Sequence, residues 1–527
     1  MSKKISKSKE DASSKLIRST TSGVLRLEDF IPITKQSTQK EFAITLPSKY
    51  GRKHMSRVTL KKSDTPKKNA TTRKALQYFG KTMKQPKILA ELLTQLCSDA
   101  GSCLTFGRFV KPTKKLFGDF VDLTRAYPLM RRIGNPSANG FVYELTYENH
   151  GFRAHTILKC GLQSDLPYTN IDNLYYEFLV GKLYINDCSM RFPCFLETYN
   201  AYDLDKNIQK SMANTKTFAV KDLIPEIKSI PHGKDVATNY AQNLKFSCEN
   251  QYNIAILIQH IASADSMDDY FLRENDLMDY WYGELPHLLY QIYGPLAQLG
   301  NKFTHFDLHT DNVLLYNIGN EKYIQMNYIF PTETVSFKTH LICKMIDYGR
   351  SYFYVNNTTN STEILKKVCE QCIDKTDPSN KCGNENGYNW LQMEDGGELK
   401  DQYYIMGSQP NISHDLRLMN DIKISPDTPN MLKKMSSGIK DIFRDLVYED
   451  KYGTPAHSSA PFSAFSSSST KKIYNIYDAA DRLRKILLHS SEFRNVNDKQ
   501  YKNNVCIGTM NVYMDSSNKS MGFELPK

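Results

Sequence analysis

Apolar positions along this chain repeat at two periods, and the places where one period gives way to the other predict its elements. Behind Pro86 the spacing is helical, with Ile88, Leu89, Leu92, Leu93 and Leu96 on one side. From about residue 117 to 159, β-type sequence dominates. A helix is predicted over 173–184 with Leu174, Phe178 and Leu179 inward, and a buried strand over 253–261. Residues 201–248 between them are polar and mixed, which predicts an insertion or long loop. A helix is expected at 285–299, interrupted by Pro295, and short strands at 313–316 and 341–346. Little periodicity is visible over 351–410, and helical patterns return at 415–422, 439–447 and 474–488. The stretch 457–470 holds seven serines and predicts a low-complexity loop. Strands first, helices later and one helix among the strands is an α+β order, which allows two lobes with a cleft between them.

Composition narrows the class. With 40% hydrophobic, 24% charged and 11% aromatic residues over 527 positions, the chain has the balance of a soluble globular protein. A wholly disordered, collagen-like or coiled-coil chain is excluded. The longest apolar run, 254–258 with its flanks, is far below the ~20 residues that cross a bilayer. No secretory signal is visible behind Met-Ser-Lys-Lys, so no membrane partner is expected. Eleven cysteines at irregular spacing suit reduced thiols better than a disulfide framework, which predicts an intracellular, cytoplasmic location.

The formal charge of +11 is concentrated at one end. Residues 1–81 hold 20 Lys and Arg against 6 Asp and Glu, while the remainder holds 48 against 51. A basic, Ser/Thr-rich extension of this kind can draw nucleic acid or another acidic partner by Coulomb steering, or serve as a solvated tail with no partner.

The sharpest chemistry lies in His305-Phe306-Asp307-Leu308-His309-Thr310-Asp311-Asn312, followed directly by an apolar strand. An Asp and an Asn five residues apart in a tight loop can serve one metal–nucleotide site. Asp307 would accept a proton from an attacking hydroxyl, and the Asn312 amide oxygen would ligate Mg²⁺. A second segment, Met345-Ile346-Asp347-Tyr348-Gly349, ends an apolar strand in a hard oxygen ligand, with Gly349 expected to permit the turn that follows.

These two segments resemble the catalytic loop and the Asp-Phe-Gly segment of the eukaryotic-type protein kinase superfamily, and more narrowly the divergent kinases of large nucleocytoplasmic DNA viruses. The resemblance extends upstream. Residues Ile133, Gly134, Asn135, Ser137, Gly140, Phe141 and Val142 fall where that family carries its phosphate-covering loop, with Gly140 and Val142 fitting the pattern cleanly. Thr156-Ile157-Leu158-Lys159 is similar to the strand whose lysine grips the α/β-phosphates, and Glu177 stands where the helix glutamate pairs with it. Gln259 and Ile261 correspond to the hinge beside adenine, and His414-Asp415-Leu416-Arg417 to the helix that buttresses the catalytic loop.

The resemblance implies a bilobal fold with a small antiparallel β lobe carrying one helix and a large, mainly helical lobe. It also implies ATP and Mg²⁺ as cofactors, and transfer of the γ-phosphoryl group to Ser or Thr hydroxyls of protein substrates. On that reading residues 1–116 are a basic N-terminal extension, 117–258 the small lobe, 259–495 the large lobe and 496–527 a C-terminal tail. If viral, the protein belongs in host cytoplasm or the virion. Asp307, Lys159, Glu177, Asn312 and Asp347 are then the catalytic set, with Asn312 and Asp347 holding metal.

Three departures keep other readings open. His309 stands where Ser/Thr kinases usually carry Lys, and the resulting string is also similar to aminoglycoside- and choline-kinase-type phosphotransferases. Phe306 replaces the arginine that a phosphorylated activation loop engages, and no Ala-Pro-Glu follows Asp347. A nucleotide-binding pseudokinase with a nucleic-acid-binding tail is the remaining alternative. In the insertion after Asp347, Cys369, Cys372 and Cys382 could hold Zn²⁺ with Cys343 or His414, although the second Cys-x-x-Cys of a firm zinc motif is missing.

Overall fold

The computed structural model describes residues 86–97, 103–134, 140–161, 174–230, 243–244, 246–247, 253–262, 264–273, 278–372, 389–390, 405–425, 437–448, 472–515 and 517–526. The basic extension up to residue 85 and the serine-rich stretch 457–470 lie outside them. The chain divides into two compact units, Met1–Ala90 and Glu91–Lys527. Of the first, the described part is the start of helix α1 (Pro86–Cys97), where Leu89 and Ala90 are buried.

The second unit is α+β. Its first part is a curled antiparallel sheet of seven strands: β1 (Leu129–Ile133), β2 (Gly140–Asn149), β3 (Phe152–Gly161), β4 (Thr198–Leu204), β5 (Thr217–Ala219), β6 (Ile227–Ser229) and β7 (Ile254–His260), in the order β5-β1-β2-β3-β7-β4-β6. The β2–β3 hairpin turns on His150 and Gly151, both at positive φ, the backbone that matches the twist of paired strands. Along β2, Tyr143, Leu145 and Tyr147 are buried on one face, and Val142, Glu144 and Thr146 stand on the other. Gly140 opens β2 at φ +153, where an added Cβ would lie 2.0 Å from the Cys160 carbonyl oxygen, so only glycine fits that approach.

Helix α2 (Leu174–Val180) runs into a π-helical turn at Gly181–Ile185. Every residue of α2 is buried, including Glu177, as expected of a helix apolar on all sides.

Three expectations change here. Strand structure begins at Leu129, because Phe117 to Arg125 forms short 3-10 turns instead. The described residues of 201–248 are part of the sheet rather than a long loop. They supply most of β4, the helix α3 (Lys206–Ala213), and the edge strands β5 and β6. Three-residue edge strands are too short to show a period. Finally, Cys103 is disulfide-bonded, against the expectation of reduced thiols, whereas Cys160, Cys188, Cys194, Cys343 and Cys506 are free.

The rest of the unit packs on helix α4 (Met278–Leu299), which passes through both Pro286 and Pro295 without stopping. Each proline removes one amide donor. Burial of Leu285, Leu288, Leu289, Ile292, Leu296 and Leu299 along the helix offsets that loss. The buried Gln291 amide then reaches across to donate to the Leu341 carbonyl (3.0 Å) and accept from the Cys343 amide (3.0 Å). It thereby pins the strand that leads to Asp347.

This region carries more strand than a mainly helical lobe. Short pairs join β8 (Asp265–Ser266) to β10 (Val313–Asn317), and β9 (Phe303–Thr304) to β14 (Tyr352–Asn356). Strand β13 (Leu341–Met345) lies beside β10. Strands β11 (Lys322–Ile329) and β12 (Thr334–Thr339) form a hairpin whose alternating burial the residues 322–339 do express. After β15 (Thr359–Asn360) come helices α5 (Ser361–Cys372), α6 (Arg417–Ile424), α7 (Ile476–His489) and α8 (Ser491–Gln500). The segment 496–527 then returns as β16 (Val505–Tyr513), parallel to β11, and β17 (Gly522–Glu524). Among the described residues, no helix is long and apolar enough to cross a membrane.

Candidate functional site

Antiparallel register brings one row of residues into line across four strands: Ile133, Val142, Lys159 and Ile256 are successive partners on β1, β2, β3 and β7. Directly opposed residues share a face, so Ile133, Val142 and Lys159 stand on the same side of the sheet. The next row, Glu144, Ile157 and Ile258, extends that face. Lys159 Nζ reaches Glu177 Oε2 at 2.7 Å and Asp347 Oδ1 at 2.9 Å. Three separate segments thus meet on one ammonium group. Glu177 is 2% exposed and Asp347 39%, so one carboxylate is structural in setting and the other faces outward. Burial pulls the Lys159 ammonium down, but the two carboxylates outweigh it and hold the group charged. Burial likewise pushes the Asp347 carboxyl up, and the Lys159 charge reverses this, leaving it below its ordinary value.

Asp347, two residues past the end of β13, sits at φ +66. Asp is among the few side chains that tolerate this region. The Tyr348 hydroxyl donates back to the Met345 carbonyl (2.6 Å). The turn expected of Gly349 follows at Gly349–Arg350, where the Ser351 amide donates to the Tyr348 carbonyl (3.1 Å).

Residues 305–312 form the second half of the site. The buried Asp415 carboxylate accepts from the His305 amide (2.8 Å) and the Phe306 amide (3.0 Å), fixing a turn in which Phe306 sits at φ +65. Burial pushes the Asp415 carboxyl up to about 7, against those two bonds. The His305 ring accepts from the Asp307 amide at Nδ1 (3.3 Å), so its Nε2 carries the proton that bonds the Ile346 carbonyl (3.0 Å). Burial lowers the His305 pKa to about 4, consistent with this neutral tautomer.

Asn312 donates through Nδ2 to the Asp307 carbonyl (2.8 Å), which makes its amide oxygen the acceptor end. Its own carbonyl accepts from the Ile346 amide (3.0 Å), tying this loop to the residue before Asp347. A carboxylate and an amide oxygen on adjoined loops are hard donors of the kind Mg²⁺ accepts. Among the described residues, no group of three or more His, Cys, Asp or Glu side chains could hold a metal unaided.

Asp307 itself is gripped from two sides. Arg417 Nη1 lies 2.8 Å from Oδ1 and Arg350 Nη1 3.2 Å from Oδ2. Burial would raise its pKa, but the two guanidinium charges hold the carboxyl well below its ordinary range. His309 Nε2 is 4.0 Å from Oδ1, and burial lowers its pKa.

Not every sequence-derived residue joins this face. Phe141 pairs with Cys160 and is buried on the opposite side of the sheet, and Gln259 pairs with Thr156 on that same opposite side. The Gln259 side chain accepts from the Glu197 amide (3.3 Å) and lines a small cavity with Lys114 and Lys344. Ile261 is buried beyond the end of β7 and Gly134 lies just past β1, at φ +64. Asn135, Ser137 and Cys382, and the side chains of Cys369 and Cys372 on α5, lie outside the described residues. Cys343 is buried with its thiol on the Leu288 carbonyl (3.4 Å). The sequence reading missed Arg350, the role of Arg417, and Glu144, whose carboxylate bridges His155 (3.6 Å) and His260 (3.3 Å) farther along the Lys159 face. Period-two alternation gives the face of each of those last three on its own strand, while strand register brings them together; nothing local marks either arginine.

No protein-family model matches this chain, and no curated protein does.

Proposed function

We propose that this chain is an ATP-dependent protein kinase with a bilobal kinase-like fold, the seven-stranded sheet forming one lobe and the α4-centred body the other. ATP lies between them, and its γ-phosphoryl group goes to a Ser or Thr hydroxyl of a protein. The observation that carries this reading is the meeting of Lys159, Glu177 and Asp347 on one ammonium, at 2.7 and 2.9 Å, beside the Asp307–Asn312 loop. A lysine braced by a buried glutamate is a fixed point charge for the α/β-phosphates. The apolar side chains of Val142, Ile157 and Ile258 on the same face offer a flat surface for a nucleobase.

Asp347 and the Asn312 amide oxygen would hold Mg²⁺, which would supply positive charge to offset that of the phosphates. Asp307 aligns the acceptor hydroxyl and takes its proton. His305, neutral and doubly bonded, holds the Asp307 backbone in register with the strand that carries Asp347. Such a site works by positioning and charge placement, with little covalent chemistry of its own.

The test is transfer of label from γ-labelled ATP with Mg²⁺ to a basic protein mixture and to the chain itself. Wild type and Asp307→Asn run side by side, with acid hydrolysis to identify the labelled residue. Label on serine or threonine in wild type alone is expected. Transfer that survives in Asp307→Asn contradicts the role of that residue, and absence of any protein label overturns the protein-kinase reading.

A further inference from the structure

The grip on Asp307 has an unusual composition. Two guanidiniums, from the loop just after Asp347 and from the first turn of α6, converge on the two oxygens of one carboxylate. Both arginine side chains are largely enclosed, at 20% and 10% exposure. Arg417 also reaches toward Asp421 at 3.9 Å, one helical turn on, which steadies its stem from behind. The Arg350 charge acts on Asp347 as well as on Asp307. It therefore lies within Coulomb reach of both the residue that aligns the acceptor and the residue that would hold the metal.

A guanidinium presents the same planar fork to phosphoryl oxygens as to a carboxylate, so exchange of one for the other costs little geometry. Lysine in the same places would offer a point charge only. The imidazole of His309, 4.0 Å from Asp307 Oδ1, is too far for a hydrogen bond to this carboxylate, which leaves the two guanidiniums to hold it.

Resting on the phosphotransfer reading above, we propose that Arg350 and Arg417 are the binding site of the phosphoryl group in transfer, exchanging the Asp307 carboxylate for its non-bridging oxygens. The acceptor oxygen forms the new bond to the γ-phosphorus, and the bond from that phosphorus to the β–γ bridging oxygen breaks. The electron pair departs on ADP and the hydroxyl proton passes to Asp307. The arginines break no bond. They hold the charge on the moving group and turn it toward the acceptor.

The experiment is equilibrium binding to the full chain by calorimetry, using ADP and the β,γ-imido analogue of ATP, each with Mg²⁺. Wild type is expected to prefer the triphosphate analogue by about tenfold or more, the worth of one or two charge-assisted hydrogen bonds. Arg350→Met should bring that preference close to parity while ADP affinity stays within about threefold, a split that a merely structural residue would not produce. Arg417→Lys, which keeps the charge and favours folding, should lose part of the preference and likewise spare ADP. A wild-type ratio in either folded variant overturns the proposal and leaves the kinase reading standing. Failure of wild type to bind either nucleotide removes that reading and the proposal together.

Discussion

The two halves of the site solve inverse problems with the same kinds of group. On the sheet side one cation, Lys159, stands between two carboxylates, Glu177 and Asp347. On the loop side one carboxylate, Asp307, stands between two cations, Arg350 and Arg417. Where anions outnumber the cation, a further cation is favoured at the outward-facing Asp347. Where cations outnumber the anion, the arrangement favours a further anion. The contrast with carboxylates that meet only neutral donors is just as informative. Asp307 and Asp347 are held below their ordinary pKa by opposite charges, whereas Asp415 and Glu284, bonded only to amides and hydroxyls, are pushed up to about 7 by burial. A carboxylate's surroundings, more than its depth, decide whether it stays ionised.

The largest expected effect is that of Asp307→Asn. On the phosphotransfer reading it should lower phosphotransfer by about 10²–10⁴-fold while nucleotide affinity does not fall, read by single-turnover transfer and calorimetry. A parallel fall in both would put Asp307 on the binding side with Lys159.

Next comes Lys159→Met, which leaves the buried Glu177 carboxylate without its cation. A loss of about 3 kcal/mol in unfolding free energy is expected, together with loss of nucleotide binding. Adding Glu177→Gln should recover most of the stability and none of the binding, measured by denaturant unfolding of the single and double variants. Recovery of both would show that the pair has no part in holding nucleotide.

Asp415→Ala should cost about 2 kcal/mol, because the His305 and Phe306 amides are then buried without their acceptor. Asp415→Asn, which keeps one acceptor oxygen, should cost less. Equal losses would mean that the turn at Phe306 does not depend on both bonds.

The smallest effect concerns pH. Glu284 accepts from the Tyr501 hydroxyl (2.6 Å) and the Gln500 amide (2.7 Å) in a fully buried pocket. Its folded pKa of about 7 lies above the ordinary glutamate value, so the folded state binds the extra proton. Its contribution to stability is therefore greatest below the ordinary glutamate pKa and is lost as pH rises toward 7, at about 1 kcal/mol per pH unit. Unfolding of Glu284→Gln at pH 5, 6 and 7 should show a shallower slope than wild type by about that amount. An unchanged slope would return Glu284 to the charged class with Asp307.

Residues separated by a few positions were readable directly. The Asp307–Asn312 spacing, the run that ends at Asp347 and the helix carrying Glu177 are each local patterns, and a local pattern needs only the backbone period to place its side chains. The α+β order follows from the same periods. Long-range partners were not readable in this way. Strand β16 lies beside β11 across more than 170 residues of intervening chain, a parallel pairing that no local signal announces. Helix α4 runs on through Pro295 because burial along its length outweighs a lost hydrogen bond.

The candidate site divides along the same line. Which residue types are present, and which face of a strand or helix each one occupies, was determined by the sequence alone. That Arg417 and Arg350 close on Asp307, that the β3–β7 register sets Gln259 opposite Thr156 and so away from Lys159, and that Asp347 takes a left-handed backbone were decided by the tertiary structure. The physical reason is that periodicity fixes the direction of a side chain relative to its own element. The distance between two charges on different elements is set only when the cores beneath them pack.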